Sequence, residues 1–350
     1  MAIDSAPFSL YIHIPYCISK CPYCDFNSHV VADIPEQAYT EALLKELTWY
    51  AAGDHCRGKT VQSVFFGGGT PSTFNPQSIG RILNHVANRF HLDADSEITL
   101  EANPGTVESS RFSGYRASGV NRISIGVQSF QPRLLKFLGR VHSADEAQKA
   151  LDVVRRAGFE NFSLDLIYAS PGQTLEELSA DLETALSFES PHMSAYNLTI
   201  EEGTPFHHEF RAGRIQLLNE DDEIAMADLV ERRLRDAGLE RYEISNYARP
   251  GFYSRHNVNY WQSGDYLGLG AGAHSHERVE SAGIYGRRWW NEKNPARYMS
   301  RISQSQHAVV ESEEADLNKA AGEFMFSGLR MIEGISSDFF FGRFGRKPAE

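Results

Sequence analysis

The sequence predicts an α/β chain built as a partial TIM-like barrel of six βα units, (βα)6, followed by a smaller α+β region. Three observations carry this expectation. Short apolar runs recur through the first 200 residues, amphipathic stretches with helical spacing separate them, and Gly, Pro or polar residues follow each run. Periodicity alone leaves a doubly wound open sheet as the alternative.

The expected strands are Leu10–Ile14, Val61–Phe66, Glu97–Glu101, Arg122–Val127, Ser163–Tyr168 and Ser194–Thr199. Helices are expected over Gln37–Ala51, Pro76–Phe90, Ser143–Ala157 and Leu175–Phe188, where apolar residues return every three or four positions. After Glu201 the rhythm changes to an acidic helix around Asp221–Ala237 and an aromatic, glycine-rich stretch from Tyr242 to Trp290. We therefore divide the chain into a barrel, 1–200, and a C-terminal region, 201–350, that closes the barrel mouth.

A chain of 350 residues with 41% hydrophobic content buries a substantial core. Its 34 Lys and Arg against 46 Asp and Glu leave a net charge of −12, which disfavours nucleic acid as a partner. No apolar run approaches the roughly 20 residues that span a bilayer, and Met1–Leu10 lacks the pattern of a signal peptide. A cytoplasmic location is expected. Three of the four cysteines fall between Cys17 and Cys24, a clustering that suggests metal binding more than a disulfide framework. Cys56, in Asp54-His55-Cys56-Arg57, reads as an ordinary thiol near a helix end.

The spacing Cys17-x-x-x-Cys21-x-x-Cys24 supplies three thiolates in the loop after the first strand, where barrel active sites are built. Three thiolates hold three irons of a [4Fe–4S] cube and leave the fourth open to a ligand, whereas a closed electron-transfer cluster normally takes four. A zinc site completed by His13 or His29, and three unligated cysteines, are the competing readings.

Gly67-Gly-Gly-Thr70-Pro71 follows the second strand, and a glycine run there lets backbone groups approach a ligand closely. Later strand ends carry Glu101, Gln128 and Asp165, and Arg140 follows in Leu138-Gly-Arg140. Carboxylates accept from an amino group or ribose hydroxyls, and an arginine clamps a carboxylate, although each residue alone could equally cap a helix or pair at the surface.

The run Ile12-His-Ile-Pro-Tyr-Cys17-Ile-Ser-Lys-Cys21-Pro-Tyr-Cys24-Asp-Phe26 resembles one branch of the radical S-adenosylmethionine (SAM) family. That branch contains oxygen-independent coproporphyrinogen III dehydrogenase and the HemW heme chaperones. The resemblance extends from Tyr11 past His274 and implies a radical SAM barrel with a [4Fe–4S] cluster on Cys17, Cys21 and Cys24. It implies SAM contacts at Tyr11, Tyr23, Gly68, Gly69, Thr70, Glu101, Gln128, Arg140, Asp165 and His274, some of which serve a second SAM in the dehydrogenase. Tyr168-Ala-Ser-Pro-Gly-Gln173 stands where the family usually reads Tyr-Gly-Leu-Pro-Gly-Gln.

His256-Asn257-Val-Asn-Tyr260-Trp261 places an imidazole four and five residues before two aromatic rings, a pattern suited to heme iron and a flat macrocycle, or to an ordinary hydrogen-bonded core histidine. His-Asn-x-x-Tyr-Trp is the pattern associated with heme in the HemW branch, so the resemblance implies heme contacts at His256, Asn257, Tyr260 and Trp261. The dehydrogenase carries a further cysteine two positions after the third, where this chain has Phe26. The resemblance therefore favours a heme chaperone, with no catalytic residues assigned, that binds heme, cluster and SAM. Such a chaperone passes heme to respiratory proteins, with peripheral contact at the membrane. The alternative is the dehydrogenase, a radical SAM oxidative decarboxylase. Asp338-Phe-Phe-Phe-Gly-Arg-Phe-Gly345 looks like the start of the family's winged-helix-like segment, and the C-terminal region is expected to be truncated at its end.

Overall fold

A computed structural model describes residues 7–53, 59–279 and 283–347; Cys56 lies outside the described residues. The first half alternates strand and helix. Strand β1 (Phe8–Ile14) leads through two short pairing strands, β2 (Tyr16–Cys17) and β3 (His29–Val30), to helix α1 (Glu36–Ala52). There follow β4 (Thr60–Gly68), α2 (Pro76–Arg89), β5 (His91–Ala102), α3 (Ser109–Ala117), β6 (Arg122–Gln128), α4 (Pro132–Phe137) and α5 (Ala144–Arg156). The series ends with β7 (Asn161–Tyr168), α6 (Leu175–Ser187), β8 (His192–Asn197), α7 (Pro205–Arg211) and α8 (Glu220–Asp236).

The six expected strands are β1, β4, β5, β6, β7 and β8, and they lie side by side in that order, all parallel. A doubly wound sheet would reverse its order partway, so sequential placement gives the partial (βα)6 barrel. Strand β5 begins at His91, earlier than the apolar pattern indicates, because its first residues are polar and mostly exposed yet still pair with Thr60 and Val61.

Even-numbered residues of β1, Leu10, Ile12 and Ile14, are fully buried in the core with Leu43 and Leu47 of α1 and Ile79, Ile82 and Val86 of α2. The opposite side of the strands is polar. There Ser9 accepts from the Ser63 hydroxyl at 2.8 Å, Ser163 meets His192 at 2.7 Å, and Asp165 accepts from Ser124 at 3.0 Å. This polar inner face is where a barrel keeps its chemistry.

The remaining chain extends both edges of the same sheet. Strands β9 (Glu240–Arg241) and β10 (Asn246–Ala248) add antiparallel beyond β8. After helix α9 (Arg255–Trp261), strand β11 (Tyr266–Leu269) pairs parallel to β1. Antiparallel β12 (His274–Glu277) and β13 (Gly286–Asn291) continue that edge, then α10 (Pro295–Ser305), β14 (Val309–Ala315), α11 (Leu317–Gly328) and α12 (Ser337–Phe344).

One buried carboxylate ties this extension to the barrel. Glu46 of α1 accepts from the Gly270 N–H at 2.9 Å, the Asn291 amide at 2.7 Å and the Tyr298 hydroxyl at 2.6 Å. Burial raises its pKa from 4.5 to about 7, against the lowering effect of those three donors. The raised value means that Glu46 favours folding below pH 4.5 and loses that contribution as pH rises through about 7. Glu46→Ala is expected to lower unfolding free energy by about 3 kcal/mol, because three donors lose a buried acceptor. In thermal melts, any advantage of the native chain over Glu46→Gln is expected to shrink between pH 5 and pH 8.

Candidate functional site

The C-terminal ends of the parallel strands converge on the loop after β1. The backbone turns at Cys21–Cys24, where the Cys24 N–H donates to the Cys21 carbonyl at 3.1 Å. Asn27 anchors the loop by donating to the Ala271 and Lys293 carbonyls at 2.9 Å, while Lys20 Nζ donates to the Phe26 carbonyl at 3.0 Å. Cys17, Cys21 and Cys24 are free thiols facing one cavity. Burial pushes the Cys17 and Cys24 thiols up, so forming thiolates there requires a compensating cation or metal.

The glycine loop packs directly against this segment. The Gly69 N–H donates to the Ile14 carbonyl and the Thr70 N–H to the Tyr16 carbonyl, both at 2.8 Å. A Cβ at Gly69 would stand 2.6 Å from the Tyr16 carbonyl oxygen, and Gly68 adopts φ +112°, where a side chain is strained. Thr70 is thereby placed with its hydroxyl donating to Cys17 Sγ at 3.4 Å.

Glu101, at the end of β5, accepts from the Gly68 N–H at 3.1 Å. Its pKa is raised to about 7 by burial and then by Asp165, which burial also raises. Two buried carboxylates facing one space favour a cationic ligand. Gln128 has a left-handed φ of 70° at a register break in β6, a strained backbone of the kind concentrated at binding sites. Ala169, just past β7, also takes a positive φ, 58°, a left-handed turn at a residue that is not glycine.

Two adjoining cavities share a wall of Lys20, Asp25, Phe26, Ser28, Gly68 and Glu101. The first, about 470 Å³, is lined by the three cysteines with Tyr23, Gly69, Thr70, Gln128, Arg140 and Asp165. The second, about 590 Å³, is lined by Tyr11, His13, Phe26, Tyr260, Tyr266 and His274 among others. The structure thus gathers the SAM list but divides it, with Tyr11 and His274 in the second cavity. His274 stacks on Trp290 at 5.4 Å, and burial keeps its imidazole below the usual pKa. Sequence reasoning missed Ser124, Tyr196, Asn197, Thr199 and Glu201 in the first cavity; the polar residues after β8 obey the same strand-end rule as Gln128.

The histidines that a zinc site would need are engaged elsewhere. His13 meets the Tyr11 hydroxyl at 2.9 Å and the Asn27 carbonyl at 2.8 Å, and His29 meets Asn27 Oδ1 at 3.1 Å. Among the described residues no group of three or more His, Cys, Asp or Glu is arranged to hold a single metal ion. Three free thiols beside a close-packed glycine loop suit the three-thiolate donor set of a [4Fe–4S] cluster.

The four residues expected to contact heme are not spread on one open face. His256 is 1% exposed, with Ser63 Oγ on Nδ1 and the Tyr260 hydroxyl on Nε2, each at 2.9 Å. Phe65 stacks on its ring at 4.9 Å, and burial drops its pKa to about 3. Helix α9 closes the inside of the barrel, where Glu97 accepts from the Arg255 and His256 N–H groups at 3.1 Å. The Asn257 N–H is capped by Ser254, and Trp261 lies under the Arg330 guanidinium at 4.3 Å. Only Tyr260 of the four lines either cavity.

A parallel six-stranded barrel with three thiols and a glycine loop at its mouth has the architecture of radical SAM proteins. The model of the radical SAM superfamily matches residues 11–185. Within that superfamily the chain belongs to the HemW family, on near full-length similarity to curated members. It is 42% identical to the heme chaperone HemW of Escherichia coli (strain K12) over 332 residues, 93% of this chain and 83% of that one. It is 35% identical to the heme chaperone HemW of Bacillus subtilis (strain 168) over 341 residues, 97% of this chain and 87% of that one. Among solved structures, the coproporphyrinogen III oxidase (HemN) of Escherichia coli superposes with a TM-score of 0.81, covering 98% of this chain and 80% of that one. At 23% identity that likeness establishes the fold alone.

The close approach at Gly69 makes a sharp prediction. Gly69→Ala is expected to weaken SAM binding at least tenfold, about 1.4 kcal/mol, by pushing the loop off the Tyr16 carbonyl. Equilibrium dialysis with labelled SAM measures it, and iron content on the same samples reports whether the cysteine loop is intact.

Proposed function

We propose that this protein is a heme chaperone of the HemW type, which binds heme, a [4Fe–4S] cluster and SAM and delivers heme to respiratory proteins. The observation that carries this reading is similarity to heme chaperones over nearly the whole chain. Cys17, Cys21 and Cys24 supply the thiolates for the cluster, which when bound offers one-electron chemistry and an iron open to SAM. Gly68, Gly69 and Thr70 receive the ligand's polar end, and Glu101 and Asp165 balance its cationic amino group. Tyr11, Tyr23, Gln128, Arg140 and His274 complete the contacts. Residues 1–200 supply all of these cofactor contacts except His274, and 201–350 carries the heme motif.

Heme is the cargo, and we assign it to His256, Asn257, Tyr260 and Trp261. The buried imidazole is held neutral, the protonation state that ligates iron. Ligation requires His256 to exchange Ser63 or Tyr260 for the metal, so uptake is coupled to movement of α9. The acceptors we propose are respiratory cytochromes reached from the cytoplasm at the membrane surface. Among the described residues no helix is long and apolar enough to cross a membrane.

Hemin titration tests the heme assignment. The native chain is expected to shift the Soret band with saturation near one equivalent, and His256→Ala to weaken binding at least tenfold. Equal titrations would remove His256 as the ligand. Enzyme-like conversion of coproporphyrinogen III by the reconstituted, reduced protein with SAM would instead establish the dehydrogenase.

A further inference from the structure

Arg140 occupies a position that ligand binding alone does not explain. Its guanidinium reaches across the first cavity from the segment after α4. Nη2 donates to the Gly126 carbonyl at 2.8 Å, and Nη1 donates to Cys21 Sγ at 3.3 Å and to the Tyr23 hydroxyl at 3.4 Å. Nε is buried without a hydrogen-bond partner. The charged group is therefore held by a backbone carbonyl on one side and aimed at a cysteine sulfur on the other. Cys17 receives a weaker, uncharged donor, the Thr70 hydroxyl at 3.4 Å. The Cys21 and Cys17 sulfurs thus have side-chain donors of different strength.

We propose that Arg140 is a positioning residue that raises the reduction potential of a cluster on Cys17, Cys21 and Cys24 by donating a charged hydrogen bond to the Cys21 sulfur. The inference rests on the three-cysteine cluster reading above. Reduction adds one electron and no proton, so the cluster and its thiolates become more negative by one charge. A donor on a ligand sulfur stabilises that added charge, and a cationic donor stabilises it more than a hydroxyl. Burial of the guanidinium in the cavity wall strengthens the effect by reducing solvent screening. The Gly126 carbonyl fixes the direction of the side chain, so the donor is in place before reduction.

The experiment is a redox titration of the anaerobically reconstituted full chain, followed by electron paramagnetic resonance with dithionite as the low-potential reductant. Arg140→Gln is expected to disfavour reduction about tenfold, a fall of about 59 mV for one electron. Arg140→Lys, which keeps the charge, is expected to recover most of that, and Thr70→Val to cause a smaller fall than Arg140→Gln. A potential in Arg140→Gln equal to that of the native chain, at equal iron content, overturns the proposal. If Arg140→Gln does not retain its cluster, Arg140→Met and Arg140→Lys decide at equal iron content: a potential in Arg140→Met below that of Arg140→Lys supports the proposal, and equal potentials in the two overturn it. Failure of the native chain to take up about four irons would instead refute the cluster reading itself.

Discussion

The mouth of this barrel depends on a backbone contact between two strand ends. Gly69 and Thr70 donate to the carbonyls of Ile14 and Tyr16, joining the chain just beyond β4 to the chain just beyond β1 at a separation only glycine permits. From that contact the rest of the site follows. Cys17 is carried under Thr70, the Gly68 amide is turned toward Glu101, and both cavities open beside Gly68, Glu101 and the cysteine loop.

The barrel behind it separates two kinds of packing. Its outer side is apolar and buries Leu10, Ile12 and Ile14 beneath helices. Its inner side is a hydrogen-bonded polar lining, closed by α9 through Glu97, His256 and Tyr260. Buried polar groups are costly unless paired, so this lining is an organised surface and not a filler. It places His256 in the barrel interior, hydrogen-bonded to Tyr260, which lines the second cavity.

Much of this was legible in the sequence because the signals are local. Most of the parallel strands carry a short apolar run, and Glu101 and Gln128 stand at strand ends where the pattern puts them, whereas Tyr11 and Asp165 lie within β1 and β7. What escaped was nonlocal. Pairing of β11 beside β1, the Glu46 anchor on Gly270, Asn291 and Tyr298, and the split of the SAM residues between two cavities all join distant segments. The environment of His256 escaped for the same reason: its partner Ser63 is far away in sequence, and an imidazole near two aromatic rings reads alike whether exposed or buried.

The central claim is that three cysteines hold a cluster whose fourth iron is open to SAM beside the glycine loop. The most direct measurement is the electron paramagnetic resonance spectrum of the reduced, reconstituted full chain with and without SAM. A spectrum that changes on adding SAM, and saturates with its concentration, is the result this account requires. Identical spectra at saturating SAM, from a protein carrying about four irons, would contradict it.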